Sequence, residues 1–314
     1  MIPQMEEFTI SLRELCDLFG TKELSSSVVV AYDKESPIIY RKLSQEELEI
    51  LVNSVSDKLT DPTVNQAGPD FQKNWEANWR RNLANFRNSY SDSDLVPKFI
   101  SSNESFRFKG DYILPLVPDF EMKLVRILRQ YIFEKYFSDI DALHEFGAGT
   151  GFNLIHFGQM YPLKQLYGYD WVQSAVDLIS LAGESKAIKI NTKLFDMFKP
   201  DYSIEIANNS ALLTVGAMEQ LGKNWHDFLS FMISKKFSIY INVETIYENY
   251  ISSDNPIRML AKLYIEKRNW LQGYFQELQN LEKKGIIEII EQRVIFGSRF
   301  HDSWSYTVWK LKGV

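Results

Sequence analysis

The sequence predicts an α/β protein: a doubly wound, mostly parallel sheet closed by an antiparallel hairpin, behind a mixed, mainly helical N-terminal cap. Three observations carry this expectation. From Asp119 onward, short apolar runs alternate with helical patterns, as in a parallel sheet covered on both faces. The last two β-rich runs, "GIIEIIEQRVIF" and "SWSYTVWKLK", lie about six residues apart, too close for a crossover, so they pair antiparallel. The chain before residue 116 lacks this alternation. We therefore divide it into a cap over 1–115 and a sheet domain over 116–314.

In the cap, Met5–Phe19 is expected to be a helix. "SSVVVAYDKESPIIYRKL" reads as two short strands around a turn at Glu35–Pro37, because β-branched runs flank the turn. Ser44 with Glu47 three residues on forms a capping box that opens a helix to about Leu59. A loop follows, then a helix from Asp70 to about Asn88 with Trp75, Trp79, Leu83 and Phe86 on one face. The turn-rich residues 89–105 read as a linker.

In the sheet domain the expected strands are Ala142–Phe146, Gln165–Tyr169, Ile188–Phe195, Ser210–Val215 and Phe237–Val243, before the closing pair. Helices are expected over Met122–Phe137, Gly151–Met160, Val172–Leu181 and Trp225–Ile233. One long helical region is expected from Pro256 to Lys284, its first half a candidate lid carrying Tyr264, Lys267 and Arg268.

The 314 residues are 45% hydrophobic and 24% charged, enough to bury a sizeable core. The net charge of −6, with no long Lys/Arg run, argues against a nucleic-acid surface. Cys16, the single cysteine, excludes internal disulfides and Cys-rich metal centres. The acidic, amphipathic N-terminus does not read as a signal peptide, and no apolar run approaches the ~20 residues of a membrane span. The expectation is a cytoplasmic globular protein with no membrane partner. No His/Asp/Glu spacing suits a metal ion, so no metal is expected.

The stretch "ALHEFGAGTGFNLIHF" carries the chemistry. Gly147, Gly149 and Gly151 stand between a strand and a helix, preceded by the acid Glu145. Glycines there let the chain turn sharply and let a ligand approach, while the helix N-terminus offers free N–H groups. A dinucleotide fingerprint would need a small third residue at position 152, which is Phe152. The observed pattern is instead acid-x-Gly-x-Gly-x-Gly.

"EFGAGTG" resembles the first motif of the Rossmann-like (class I) S-adenosylmethionine-dependent methyltransferases. The order of later features fits the same family over about Asp119–Val314: Asp170 ends the second strand, Asp196 follows the third, and a hairpin closes the sheet. The resemblance implies a seven-stranded sheet and S-adenosylmethionine (SAM) as cofactor. It implies that Gly147, Ala148, Gly149 and Gly151 cradle the cofactor and that Asp170 accepts its ribose hydroxyls. Trp171 and Met197 would then flank the adenine, Asp196 would accept from the adenine amino group, and Glu145 would hold the loop or meet the ammonium end. Arg107, from "FRFKGDYILP", is a candidate for the cofactor's carboxylate.

Acceptor chemistry is expected outside the carboxyl ends of the strands. "LTVGAMEQLG" there lacks the Asn-Pro-Pro-aromatic sequence of amide methylating enzymes and offers Glu219 instead. If the sixth strand is parallel, the closing turn brings His301 to the same side. Glu219 and His301 are the candidate catalytic residues. The expected activity is methyl transfer to an oxygen or nitrogen of a small molecule, such as a sugar or biosynthetic intermediate. A protein-substrate methyltransferase and a non-catalytic SAM-fold binding protein are the alternatives.

Overall fold

A computed structural model of the protein describes residues 6–97, 100 and 104–313. Its cap elements are β1 (Glu7–Thr9), α1 (Leu12–Phe19), α2 (Ser26–Glu35), β2 (Ile39–Lys42), α3 (Gln45–Thr60), α4 (Gln72–Ser89), β3 (Phe106–Phe108) and β4 (Asp111–Pro115). There follow α5 (Phe120–Phe137), β5 (Ala142–Phe146), α6 (Phe152–Met160), β6 (Gln165–Asp170), α7 (Gln173–Ser185), β7 (Ile190–Leu194) and β8 (Ser210–Val215). The chain ends with α8 (His226–Lys235), β9 (Ile239–Val243), α9 (Pro256–Arg268), α10 (Tyr274–Lys283), β10 (Ile287–Arg293), β11 (Phe296–Gly297) and β12 (Tyr306–Leu311).

The large sheet has seven strands in the order β10-β12-β9-β8-β5-β6-β7. β5 to β9 run parallel, and β12 is antiparallel to both β9 and β10. β10 is therefore parallel to the first five, and the segment between it and β12 emerges at their carboxyl ends. The expected seven-stranded, hairpin-closed sheet is what forms. β5, β8 and β9 are buried along almost their whole length, as strands covered on both faces must be.

A second sheet, β1-β2-β4-β3-β11, is antiparallel. Its last strand comes from residues 296–297, far along the chain from the other four. One hydrophobic core runs from this sheet (Phe106, Phe108, Ile113) through α5 (Phe120, Leu124, Leu128) to the large sheet (Leu143, Leu213, Val243).

Four local expectations are corrected. The helix expected from Met5 begins at Leu12, capped by Ser11, after β1; Met5 itself lies outside the described residues. Residues 26–35 are a helix rather than a strand: Ser25 caps it, accepting from the Val28 N–H at 3.4 Å. The single helix expected over Pro256–Lys284 is two, because Asn269 takes a left-handed conformation (φ 52°) and Gly273 (φ 82°) restarts the chain. "FRFKGDYILP", where no element was expected, is a β-hairpin turning at Lys109 (φ 54°) and Gly110 (φ 87°). Residues 98–99 and 101–103 of the expected linker lie outside the described residues.

Candidate active site

The glycine loop leaves β5 at the point where strand order reverses, between β6 and β8, where ligands sit in open α/β sheets. The N–H groups of Gly147 and Ala148 both donate to the Tyr169 carbonyl, at 2.8 and 2.9 Å. All three glycines have positive φ, at 72°, 56° and 75°. A Cβ on Gly147 would stand 2.3 Å from the Ala217 Cβ, so this position has both the wrong backbone and no room for any other residue. Thr150 ties the loop to the cap through a 2.6 Å hydrogen bond to the Leu95 carbonyl.

Asp170, at the end of β6, is buried. Its carboxylate accepts from the Gly149 N–H at 2.9 Å and the Val172 N–H at 3.2 Å. Burial raises its pKa to about 6 against those hydrogen bonds. Glu145 is also buried: Oε1 accepts from Asn153 Nδ2 at 2.7 Å, and Oε2 has no partner. Burial pushes this carboxyl up to about 8, Asn153 and Arg129 pulling the other way.

These residues line a cleft with about 80 Å³ of free space. Trp171 and Phe198 stack at one end, centroids 5.9 Å apart, with Met197 beside them. Trp75 and Trp79 of α4 stack on one another at 5.4 Å and lie over the glycine loop. α4 is held there by Gln72, which donates to the Trp171 carbonyl at 2.7 Å, and by Glu76, which accepts from Ser174 Oγ at 3.0 Å. The two indoles thus form one wall of the space left for a ligand.

Of the residues singled out from sequence, Glu145, Gly147, Ala148, Gly149, Asp170, Trp171 and Met197 line the cleft. Gly151 lies behind it against Ile179. Asp196 does not line it; its carboxylate accepts from the Phe198 N–H at 2.8 Å and so shapes the turn carrying Met197 and Phe198.

Arg107 is a correction. It is 1% exposed, with Nε 3.4 Å from Asp302 and Nη1 donating to the Ile257 carbonyl at 3.1 Å, so it is spoken for away from the cleft. Nor does α9 line the cleft as a lid; Tyr264 is buried against Phe300, with rings 4.3 Å apart.

Glu219 and His301, 82 residues apart, are joined by Thr245. Thr245 Oγ1 donates to Glu219 Oε1 at 2.9 Å and meets His301 Nδ1 at 2.7 Å. A hydroxyl has one proton, so with Thr245 donating to Glu219, neutral His301 must carry its proton on Nδ1. Burial drives His301 down to about 3 and Glu219 up to about 7. Neither lines the cleft, but Gln220 and Leu221, next to Glu219, do, as does Trp304 beyond His301. Beside them Glu244 accepts from the Ala217 and Met218 N–H groups, each at 3.1 Å.

Sequence reasoning missed Thr245, Asn153, Trp304 and the covering role of Trp75 and Trp79. Asn153 had a signal: it stands two residues past Gly151, on the first turn of α6.

Five parallel strands, a parallel sixth and an antiparallel seventh inserted between the fifth and sixth, with an acid-flanked glycine loop after the first, define the architecture. The chain has the Rossmann-like methyltransferase fold. No family model and no curated protein matches the sequence. Among solved structures it is similar to the plantazolicin methyltransferase BpumL, solved with a pentazolic desmethylPZN analog and S-adenosylhomocysteine (SAH): 14% identity, 86% of this chain and 98% of that one, TM-score 0.41. PigF with SAH aligns at 13% identity over 61% of this chain and 57% of that one, TM-score 0.45. The methyltransferase domain of bacterial CtHen1-C aligns at 16% identity over 57% and 93%, TM-score 0.42. At such TM-scores these likenesses carry no weight, and the fold is read from strand order and loop. Among the described residues, no group of three or more His, Cys, Asp or Glu can hold a metal ion, and no helix is long and apolar enough to cross a membrane.

Proposed function

We propose that the protein is a SAM-dependent methyltransferase acting on an oxygen or nitrogen of a small-molecule acceptor. The observation that carries this reading is the pairing of Glu145 and Asp170 across the glycine loop. Two buried carboxyls at the ends of adjacent strands flank a backbone stripped of side chains, under an aromatic cover. A ligand with an ammonium at one end and a ribose diol at the other matches that donor set. The unpartnered Glu145 oxygen suits the ammonium, and the two oxygens of Asp170 suit two hydroxyls. Trp171, Met197 and Phe198 offer an apolar slot for a purine, with Asp196 holding the turn that carries Met197 and Phe198.

Bound SAM supplies a methyl group on an electrophilic sulfonium centre. The chain's own residues then bind, align and exclude water; alignment of held reactants is worth on the order of 7–11 kcal/mol. Glu219, Thr245 and His301 make a hydrogen-bonded line along which a proton from an acceptor hydroxyl or ammonium can pass. Glu219, poised near neutrality, is the proposed base, a role worth about 10²–10⁴-fold in rate. The acceptor is proposed to be a small molecule because the cleft is closed by α4 rather than open along a groove.

The test is calorimetric titration with SAM, SAH and NAD(H). Tight binding of the adenosyl compounds alone supports the reading, and binding of NAD(H) instead overturns it. Asp170→Ala should severely weaken SAH binding. Glu219→Gln and His301→Ala should leave it largely intact.

A further inference from the structure

Beside the cleft, and sharing Phe152 and Ile100 with it, lies a second cavity with about 1030 Å³ of free space. α2 and the segment around residues 92–96 form one wall, α5 and α6 the other. Val30, Ala31, Leu95, Val96, Met122 and Ile155 give it an apolar body.

Three carboxylates and three cations line it, and they are only partly paired with one another. The carboxylates are Glu35, Asp92 and Asp119. Glu35 holds Arg126 at 3.1 Å and has Lys123 at 4.0 Å, while Asp92 pairs with Lys186 at 2.6 Å. Asp119 sits at the N-cap of α5, where its side chain makes no capping hydrogen bond. Two cations on the wall, Arg129 and Lys34, have no carboxylate within 4.0 Å among the described residues. Arg129 is fixed in place: its guanidinium lies 4.0 Å over the Phe152 ring, and Nη1 donates to the Phe152 carbonyl at 3.1 Å. Its Nε is buried without a partner. Burial lowers this guanidinium to about 9, which still leaves it charged at neutral pH. His156 is neutral, pushed down to about 3 by burial, and its Nε2 meets Gln130 at 3.1 Å.

A largely desolvated guanidinium on a cavity wall with no ion-pair partner is stabilised when an anion arrives. Carboxylate and phosphate are the groups whose paired oxygens match its fork. Phe152, which carries Arg129 on its ring and carbonyl, is followed directly by Asn153, the partner of Glu145 in the cleft. We propose that this cavity is the acceptor site and that the acceptor is an organic anion, its apolar body in the cavity and its carboxylate or phosphate on Arg129. The inference rests on the methyltransferase reading. An anchor one residue from the cofactor cleft converts remote binding into orientation of the reacting end.

The test is calorimetry on the full chain saturated with SAH, using 2-naphthoate, 2-naphthyl phosphate and neutral 2-naphthamide as probes. At least one anion should bind about tenfold or more tighter than the amide, a charge-assisted hydrogen bond's worth. The tighter of the two tells carboxylate from phosphate. Arg129→Met should erase the preference; SAH affinity at pH 7 should fall only modestly, because Arg129 helps to lower the Glu145 carboxyl. Ala31→Trp, which fills the cavity and leaves Arg129 in place, should block the anions and keep SAH affinity. Equal binding of amide and anions overturns the proposal, as does undiminished anion binding to Arg129→Met. Abolished SAH binding in that variant, with its thermal unfolding unchanged, also overturns it, by placing Arg129 in the cofactor site. Failure of the wild-type protein to bind SAH at all is a separate result, and it removes the methyltransferase reading itself.

Discussion

Glu145 is the residue whose chemistry is easiest to isolate. Its carboxyl is held near pKa 8 by burial, so at pH 7 it is mostly protonated in the free protein. An ammonium arriving at its unpartnered oxygen favours the ionised form and must expel that proton. SAH binding at pH 7 should therefore release a proton, and affinity should rise with pH up to about 8. Calorimetry in buffers of different ionisation enthalpy reads the release directly, and Glu145→Gln should abolish it. Proton uptake, or none, would remove the ammonium from this site. Gly147 makes a steric counterpart. Gly147→Ala forces a Cβ to within 2.3 Å of Ala217 at a φ of 72°. Overpacking and left-handed strain of this kind cost about 1–3 kcal/mol each. The variant should melt lower and lose SAH affinity; an unchanged melting temperature would contradict the packing described.

At the level of elements, α4 is the cover of the cleft. Trp79 is buried with its ring 3.0 Å from where a Gly149 Cβ would lie, whereas Trp75 is only half-buried. Trp79→Ala should cost about 3–5 kcal/mol of stability, as buried tryptophans do. Trp75→Ala should spare stability and speed SAH association, read by stopped-flow fluorescence, because it removes the outer half of the cover. Slower association would make Trp75 part of the binding surface rather than the gate. The helical face of α4 was legible from its spacing, but what it covers was not: Trp79 meets Gly149 across 70 residues of sequence. The sheet's strands were legible because each is a short apolar run bounded by turn residues. α2 was not, since Val28-Val29-Val30 mimics a strand and only the Ser25 cap and the packing site on α5 decide otherwise. Other misses had unread signals. Lys109-Gly110 is a two-residue hairpin turn, and Asn269 with Gly273 punctuates what was taken as one helix.

Across the whole molecule, the cap and the large sheet share one core and exchange a strand, so the buried ionisable groups report on a single folding transition. Five acids have raised pKa values in the folded state: Asp170 to about 6, Glu219 to about 7, Glu145 and Glu244 to about 8, and Glu248, lifted by burial above its ordinary value. Three histidines, His144, His156 and His301, are lowered to about 3. Between pH 3 and 6.5 the unfolded chain binds more protons at the histidines, which makes stability rise with pH. The acids act oppositely, because above about pH 4 the folded state keeps protons that the unfolded chain has lost. The two contributions compete up to pH 6.5. Above that the acids dominate, with Glu145, Glu219 and Glu244 titrating last, until Arg129, lowered to about 9, begins to act oppositely beyond about pH 8. The ligand-free protein should therefore lose stability from pH 6.5 to about 8 and stop losing it beyond. Glu244→Gln keeps an acceptor for the Ala217 and Met218 N–H groups and has no proton to lose, so it should flatten part of that decline. Saturating SAH, by ionising Glu145, should flatten another part. Melting temperatures at pH 6.5, 7.5 and 8.5 check all three; a profile that rises over this range would mean that these carboxyls are ionised in the folded protein.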